Sequence, residues 1–236
     1  MFDPVLMIMQ PRQIEVVIDS IKDNVKIPKV WFKAYTEPEV MEEMNEFVKK
    51  TNYSHYIIVG DDAIVYKKAI DTVLKYGKME KYEVFTGWMN MHLEEPPLSR
   101  KPWGELTFED YDLSKESTVC WGEFPPMKSA WAPTREEYPP WVSVKDMMNG
   151  PQKIRQTSMA NFGLSCARRE LFLEFPLRTH QSGKASDHEW SNRLQTADIK
   201  IWTHPDAFIK HLRRGWKALA DNWLVKLVPS ETIEDV

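Results

Sequence analysis

The chain has 236 residues, 42% hydrophobic and 28% charged, a balance that excludes a disordered segment and gives enough length for a sizeable core. Its formal net charge of -4 argues against a general nucleic-acid binder, which needs a basic surface, but leaves room for a local basic pocket. The two cysteines, Cys120 and Cys166, and the absence of a Cys-x-x-Cys pair exclude a disulfide scaffold and a zinc site of that pattern. The amino terminus lacks the basic start and apolar core of a signal peptide. No apolar run approaches the ~20 residues of a membrane span, so the expectation is a soluble, cytoplasmic protein.

The first third alternates between two periodicities. Val5 to Met9 is a short apolar run, and after Pro11 the residues Ile14, Val17, Ile18 and Ile21 recur at helical spacing. Lys29 to Tyr35 is the next strand candidate. Thr36 and Glu39 match a capping box, opening a helix with Val40, Met44, Phe47 and Val48 on one face. Tyr56 to Val59 is a third strand, and Tyr66 to Tyr76 a third helix that Gly77 should end. Strands separated by single helices predict βαβ units and a mostly parallel sheet. Lys81 to Met91 reads as one further strand.

From Glu94 to about Gln152 the pattern breaks. This stretch is rich in Pro, Trp and acidic residues and too long for an ordinary connection, so it reads as an irregular insertion over the binding edge of the sheet. Trp103, Trp121, Trp131 and Trp141 would stack on a sugar ring there, or else fill a small secondary core. Regularity returns with a strand over Phe162 to Ala167, a helix over Arg168 to Phe175 and a strand over Lys200 to Thr203. The tail carries one amphipathic stretch, Trp216 to Leu227.

Two places carry chemistry. The third strand ends in Gly60-Asp61-Asp62, and ligands of open α/β sheets bind beyond the carboxyl ends of the strands, where acids can hold a divalent cation against a phosphate. A turn followed by a helix cap explains the same pair without function. Downstream, Ser186-Asp187-His188-Glu189-Trp190 reads as a second capping box, with Ser186 and Glu189 as its reciprocal pair and Asp187 in the first turn.

These features stand in a set order: a βαβ start, an acidic pair ending the third strand, a Ser-Asp-x-Glu-Trp helix start and a late His211. Over about residues 4 to 214, that order resembles the GT-A glycosyltransferases, especially their inverting, family-two-like branch. The resemblance implies a GT-A fold: α/β, Rossmann-like, with a mostly parallel central sheet flanked by helices and an irregular acceptor-side insertion. It implies one domain over 1–236, with a nucleotide-sugar part (1–92), an acceptor and catalytic part (93–215) and a tail (216–236). The family's strand-end motif, DxD, stands here with Gly60 in place of its first acid. Asp62 takes the metal-binding position and Asp61 the position near the donor ribose or sugar, with His211 as a late metal ligand. The metal would be Mn2+ or Mg2+.

Asp187 takes the place of the family's general base, with Glu189 as a fallback. Gln10, Pro11, Arg12, Tyr35 and Glu37 fall where the donor's base and ribose would sit, and Arg213 and Arg214 where they would meet its diphosphate. Trp88, Asn90, Phe162 and Gly163 would border the acceptor or donor sugar. The implied activity is metal-dependent, hexosyltransferase-like transfer from a nucleotide-diphosphate sugar to a hydroxyl acceptor on a glycan, glycoprotein or glycolipid, with inversion and without nucleic acid. Two alternatives stay open: a nucleotidyltransferase, though Met9 to Arg12 is not a glycine-rich phosphate loop, and a non-catalytic glycan- or nucleotide-binding protein, suggested by Gly60.

Overall fold

The computed structural model describes residues 1–10, 12–33, 36–91, 117–121, 141–143, 147, 153–179, 186–211 and 227–229. The amino-terminal third forms β1 (Pro4–Met9), β2 (Arg12–Ile14), α1 (Glu15–Asn24), β3 (Lys29–Phe32), α2 (Glu37–Lys50), β4 (His55–Val59), β5 (Ala63–Val65) and α3 (Lys67–Gly77). After it come β6 (Val84–Thr86), β7 (Trp88–Met91), β8 (Ser117–Trp121), β9 (Trp141–Ser143), β10 (Arg155–Thr157) and β11 (Ser165–Arg168). The chain continues through α4 (Arg169–Glu174), α5 (Ser186–Thr196), β12 (Ile201–Thr203), β13 (Phe208–His211) and β14 (Leu227–Pro229).

The principal sheet has seven strands in the order β10-β12-β6-β11-β4-β1-β3. β3, β1 and β4 are parallel, as are β6 and β12, while β11 and β10 run against their neighbours, so the sheet is mostly parallel. Period-two alternation sorts its side chains onto two cores. Leu6 and Ile8 of β1 and Ile57 and Val59 of β4 face α1 and α3, where Val17, Ile21, Ile70 and Val73 meet them. Val5, Met7, Tyr56 and Ile58 face the opposite layer, formed by Val40, Met44 and Val48 of α2 with Leu171, Phe172, Trp190 and Leu194. Both faces are covered, which explains why β1 and β4 read as continuous apolar runs.

Helix ends confirm part of the sequence reading. Thr36 accepts from the Glu39 backbone N–H, and the Glu39 carboxylate accepts from Thr36 N at 3.0 Å, so the capping box of α2 forms as expected. At the other end of α2, Arg169 donates to the carbonyls of Val48 and Thr51, a cation at the negative end of the helix dipole. Gly77 ends α3 as expected. It does so as the last helical residue, with Lys78 following in right-handed conformation rather than as a left-handed cap. A side chain there would bring its Cβ within 2.8 Å of Cys166 Sγ, so the glycine serves the packing of α3 on β11.

The strand expected over Lys81 to Met91 is two strands. Gly87 breaks it, and the chain passes from the principal sheet at β6 into a second sheet of order β5-β13-β7-β8-β9. Gly87 N donates to Leu164 O (2.7 Å) and Trp88 N to Ala207 O (3.0 Å), and a Cβ on Gly87 would lie 2.9 Å from the Ala207 carbonyl oxygen. Backbone cannot yield as a side-chain tip can. Gly87→Ala is therefore expected to destabilise the fold by about 1–3 kcal/mol, the usual cost of overpacking, measured by urea denaturation.

Within the expected insertion, β8 and β9 extend the second sheet outward from β7. Trp121 and Trp141 lie on these two strands, while Trp103 and Trp131 lie outside the described residues. Two short strands were not anticipated: β2 and β14 pair antiparallel, with Ile14 opposite Leu227 and Arg12 opposite Pro229. This brings Leu227–Pro229 to the start of α1. Among the described residues, no helix is long and apolar enough to cross a membrane.

Candidate active site

The acidic pair stands where the sequence placed it. β4 ends at Val59, Gly60 follows, and Asp61 and Asp62 form the turn that leads directly into β5. Asp61 is 7% exposed and Asp62 is half-buried. β5, like β2 and β14, is a short strand that sequence periodicity missed, because three residues are too few to show a period. It pairs antiparallel with β13, in the register Val65–Ile209, Ile64–Lys210 and Ala63–His211. His211, 149 residues further along the chain than Asp62, therefore has its backbone opposite the residue that follows the acidic pair. Among the described residues no group of three or more His, Cys, Asp or Glu side chains forms a metal cage.

Gly60 has room for a side chain: a Cβ at this position would sit 3.4 Å from the Phe162 carbonyl oxygen and 3.5 Å from Asp62 Oδ1, ordinary van der Waals distances. Gly163 is different, since its Cβ would approach Ile209 Cδ1 to 2.5 Å and Met89 Cε to 2.8 Å. The Phe162–Gly163 segment thus packs between the acidic turn and the second sheet.

Asp187 lies in the first turn of α5 and is half-buried. Its Oδ1 accepts from His188 N at 2.8 Å. Trp190, three residues on and so on the same face of the helix, meets the Phe162 ring at 5.9 Å between centroids and stacks on Phe172 at 5.2 Å. Trp190 Nε1 donates to Phe175 O, and Ala160 N donates to Ser191 Oγ, so the start of α5 is docked on the loop carrying Phe162. Contacts thus link the first turns of α5, through Trp190 and Phe162, to Gly60 beside the acidic pair.

The second capping box does not form. Ser186 is already helical, and its buried Oγ has no hydrogen-bond partner among the described residues. Glu189 instead receives Arg178 Nε at 2.6 Å and Arg193 Nε at 2.9 Å. Burial pulls the Arg193 guanidinium below its ordinary range, and Glu189 opposes that pull. Two guanidinium groups outcompete a backbone N–H for one carboxylate. Glu189→Gln is therefore expected to cost about 1–3 kcal/mol of stability, read from the denaturation midpoint, with little change in the turnover of the folded protein.

The remaining candidates fall in several places. Gln10 follows β1; it is 2% exposed, and among the described residues neither its amide oxygen nor its amide nitrogen has a hydrogen-bond partner. Arg12 lies on β2, and Glu37 is the exposed first residue of α2. Trp88 is fully buried, with Nε1 donating to Pro205 O at 2.8 Å and its ring against Phe208, so it forms a wall of the second sheet. Asn90 lies on the adjoining part of β7. Pro11, Tyr35, Arg213 and Arg214 lie outside the described residues. Burial pushes the Cys166 thiol up to about 12, so it stays protonated near neutral pH and is no nucleophile.

The mostly parallel sheet, the helices on both faces and the acidic turn at a strand's carboxyl end together define a GT-A-like fold. No family model and no curated protein matches the sequence. Among solved structures, GalNAc-T7, crystallised with UDP, GalNAc and Mn2+, is similar over 94% of this chain and 45% of that one, with a TM-score of 0.53 and 8% identity. A197 from STIV is similar over 90% of this chain and 95% of that one, with a TM-score of 0.48 and 12% identity. At these identities the likeness is one of fold.

Proposed function

We propose that this protein is a metal-dependent glycosyltransferase that moves a sugar from a nucleotide-diphosphate donor to a hydroxyl acceptor with inversion. The observation that supports the reading is the β5–β13 register, in which the His211 backbone lies opposite Ala63, the residue that follows Asp61 and Asp62. Carboxylates with an imidazole suit Mn2+, or Mg2+ with more water, and diphosphate oxygens complete such a shell. Asp62 and His211 would hold the ion, with Asp61 toward the donor. A bound ion supplies charge neutralisation for the departing diphosphate.

The chain's own groups supply the rest. Asp187 takes the proton of the acceptor hydroxyl as its oxygen bonds to the anomeric carbon. The bond from that carbon to the diphosphate oxygen breaks, and its electron pair leaves with the nucleoside diphosphate. Gln10 offers a buried, unpaired amide to the donor's base, where an unsatisfied donor and acceptor would otherwise cost about 1–3 kcal/mol. Arg12, Glu37, Pro11 and Tyr35 would line the same end of the site, Arg213 and Arg214 would meet the diphosphate, and Phe162, Gly163 and Asn90 would border the sugars. Trp88 contributes as the wall behind them.

The non-catalytic alternative draws on the glycine in place of a first acid, and one experiment separates it from the enzyme. The test is turnover of the full chain on labelled nucleotide sugars with glycan acceptors, in Mn2+ and again in excess chelator. Metal-dependent label transfer is the expected result. Metal-dependent nucleotide binding without transfer or donor hydrolysis would favour the binding protein instead.

A further inference from the structure

A buried polar cluster lies behind the candidate site and has no part in the chemistry above. Asn161 is fully buried. Its amide nitrogen donates to Thr86 Oγ1 at 3.1 Å and to the Gly87 carbonyl at 2.5 Å, while its Oδ1 accepts from Leu164 N at 3.2 Å. Its own carbonyl accepts from Ser165 Oγ at 2.5 Å, and Ser165 Oγ lies 2.8 Å from Thr86 Oγ1. Both amide hydrogens and the amide oxygen are thereby engaged.

The cluster joins two segments that the site needs in register. One is the Thr86–Gly87 junction, where the chain changes sheets. The other is the loop from Asn161 to Leu164, whose Phe162 carbonyl backs Gly60 and whose Gly163 is pressed against Met89 and Ile209. We propose that Asn161 is a positioning residue: by clamping this loop to the sheet junction it holds Phe162 against the Gly60–Asp62 turn, and so sets the acidic pair without touching what that pair binds. The clamp stands on the hydrogen bonds alone. Only what the turn binds rests on the glycosyltransferase reading.

The test compares Asn161→Ala, Thr86→Val and Thr86→Ser in the full chain by amide hydrogen exchange, with Mn2+ alone titrated by calorimetry. Asn161→Ala and Thr86→Val are expected to speed exchange about ten-fold or more at Phe162–Leu164 and at Gly60–Asp62, and to leave Leu6–Ile8 of β1 unchanged. Thr86→Ser, which keeps the hydroxyl, is expected to behave as the parent. Mn2+ affinity is expected to fall with the exchange change. If Asn161→Ala fails to fold, the threonine pair carries the same comparison. Faster exchange throughout, β1 included, or an unchanged Gly60–Asp62 turn would overturn the proposal, as would a Ser variant as defective as Val. A parent protein that binds no Mn2+ would defeat the metal reading, and the exchange result would then decide the positioning role alone.

Discussion

Asp62→Ala is expected to abolish Mn2+-dependent binding of nucleoside diphosphate while the fold persists. Asp62 sits in a half-buried turn, outside both hydrophobic cores, so its loss leaves the strands on either side in place. The metal, by contrast, would lose a carboxylate from a set that Gly60 already leaves one acid short. Outer partners of metal ligands typically cost 10–100-fold in affinity, so losing a direct ligand is expected to cost on the order of 100-fold or more. Calorimetry with Mn2+ and nucleotide, paired with circular dichroism, reads both halves of this expectation. Unchanged affinity in a folded Asp62→Ala protein would remove the metal site from the account.

The second large effect is expected at Asp187. Asp187→Asn keeps the size of the side chain and the oxygen that accepts from His188 N, so the first turn of α5 stays intact. It removes the carboxylate that, on the proposed reading, takes the acceptor's proton. General-base catalysis is typically worth about 10²–10⁴-fold, and kcat is expected to fall on that scale with donor affinity nearly unchanged. Glu189→Gln supplies the contrast, because Glu189 is tied to Arg178 and Arg193 and is expected to show its loss in stability rather than in turnover. Normal turnover in Asp187→Asn with an inactive but folded Glu189→Gln would reverse the two roles.

Sequence periodicity carried far where elements were long or strongly patterned. β1, β4, α1, α2 and α3 stand within a residue or two of their expected ranges, because apolar runs and helical spacing report burial directly. The Thr36–Glu39 box formed, and among the described residues no stronger partner competes for Glu39. The Ser186–Glu189 box matched the same pattern and did not form, because Arg178 and Arg193 reach Glu189 in space. Gly77 and Gly87 show the same limit. Their meaning lies in Cys166 Sγ and the Ala207 carbonyl, contacts that no local window contains.

The candidate site was legible in part. Asp61 and Asp62 were marked by the strand they end, and His211 by chain order. What joins them is the short β5, which three residues cannot announce. Asn161 gave no signal at all, since an asparagine beside an apolar strand most often reads as a turn residue. Its partners Thr86 and Gly87 lie more than seventy residues away.

The most direct test of the central claim is a thermal-shift titration of the full chain with nucleoside diphosphates, each with and without Mn2+. A ligand at 100 times its Kd stabilises the native state by about 2.7 kcal/mol, and for a chain of this size each kcal/mol raises Tm by about 2–4 °C. The account predicts a rise of about 5 °C or more with at least one nucleoside diphosphate, present with Mn2+ and lost on chelation. No shift with any of them, or the same shift with and without Mn2+, would contradict it.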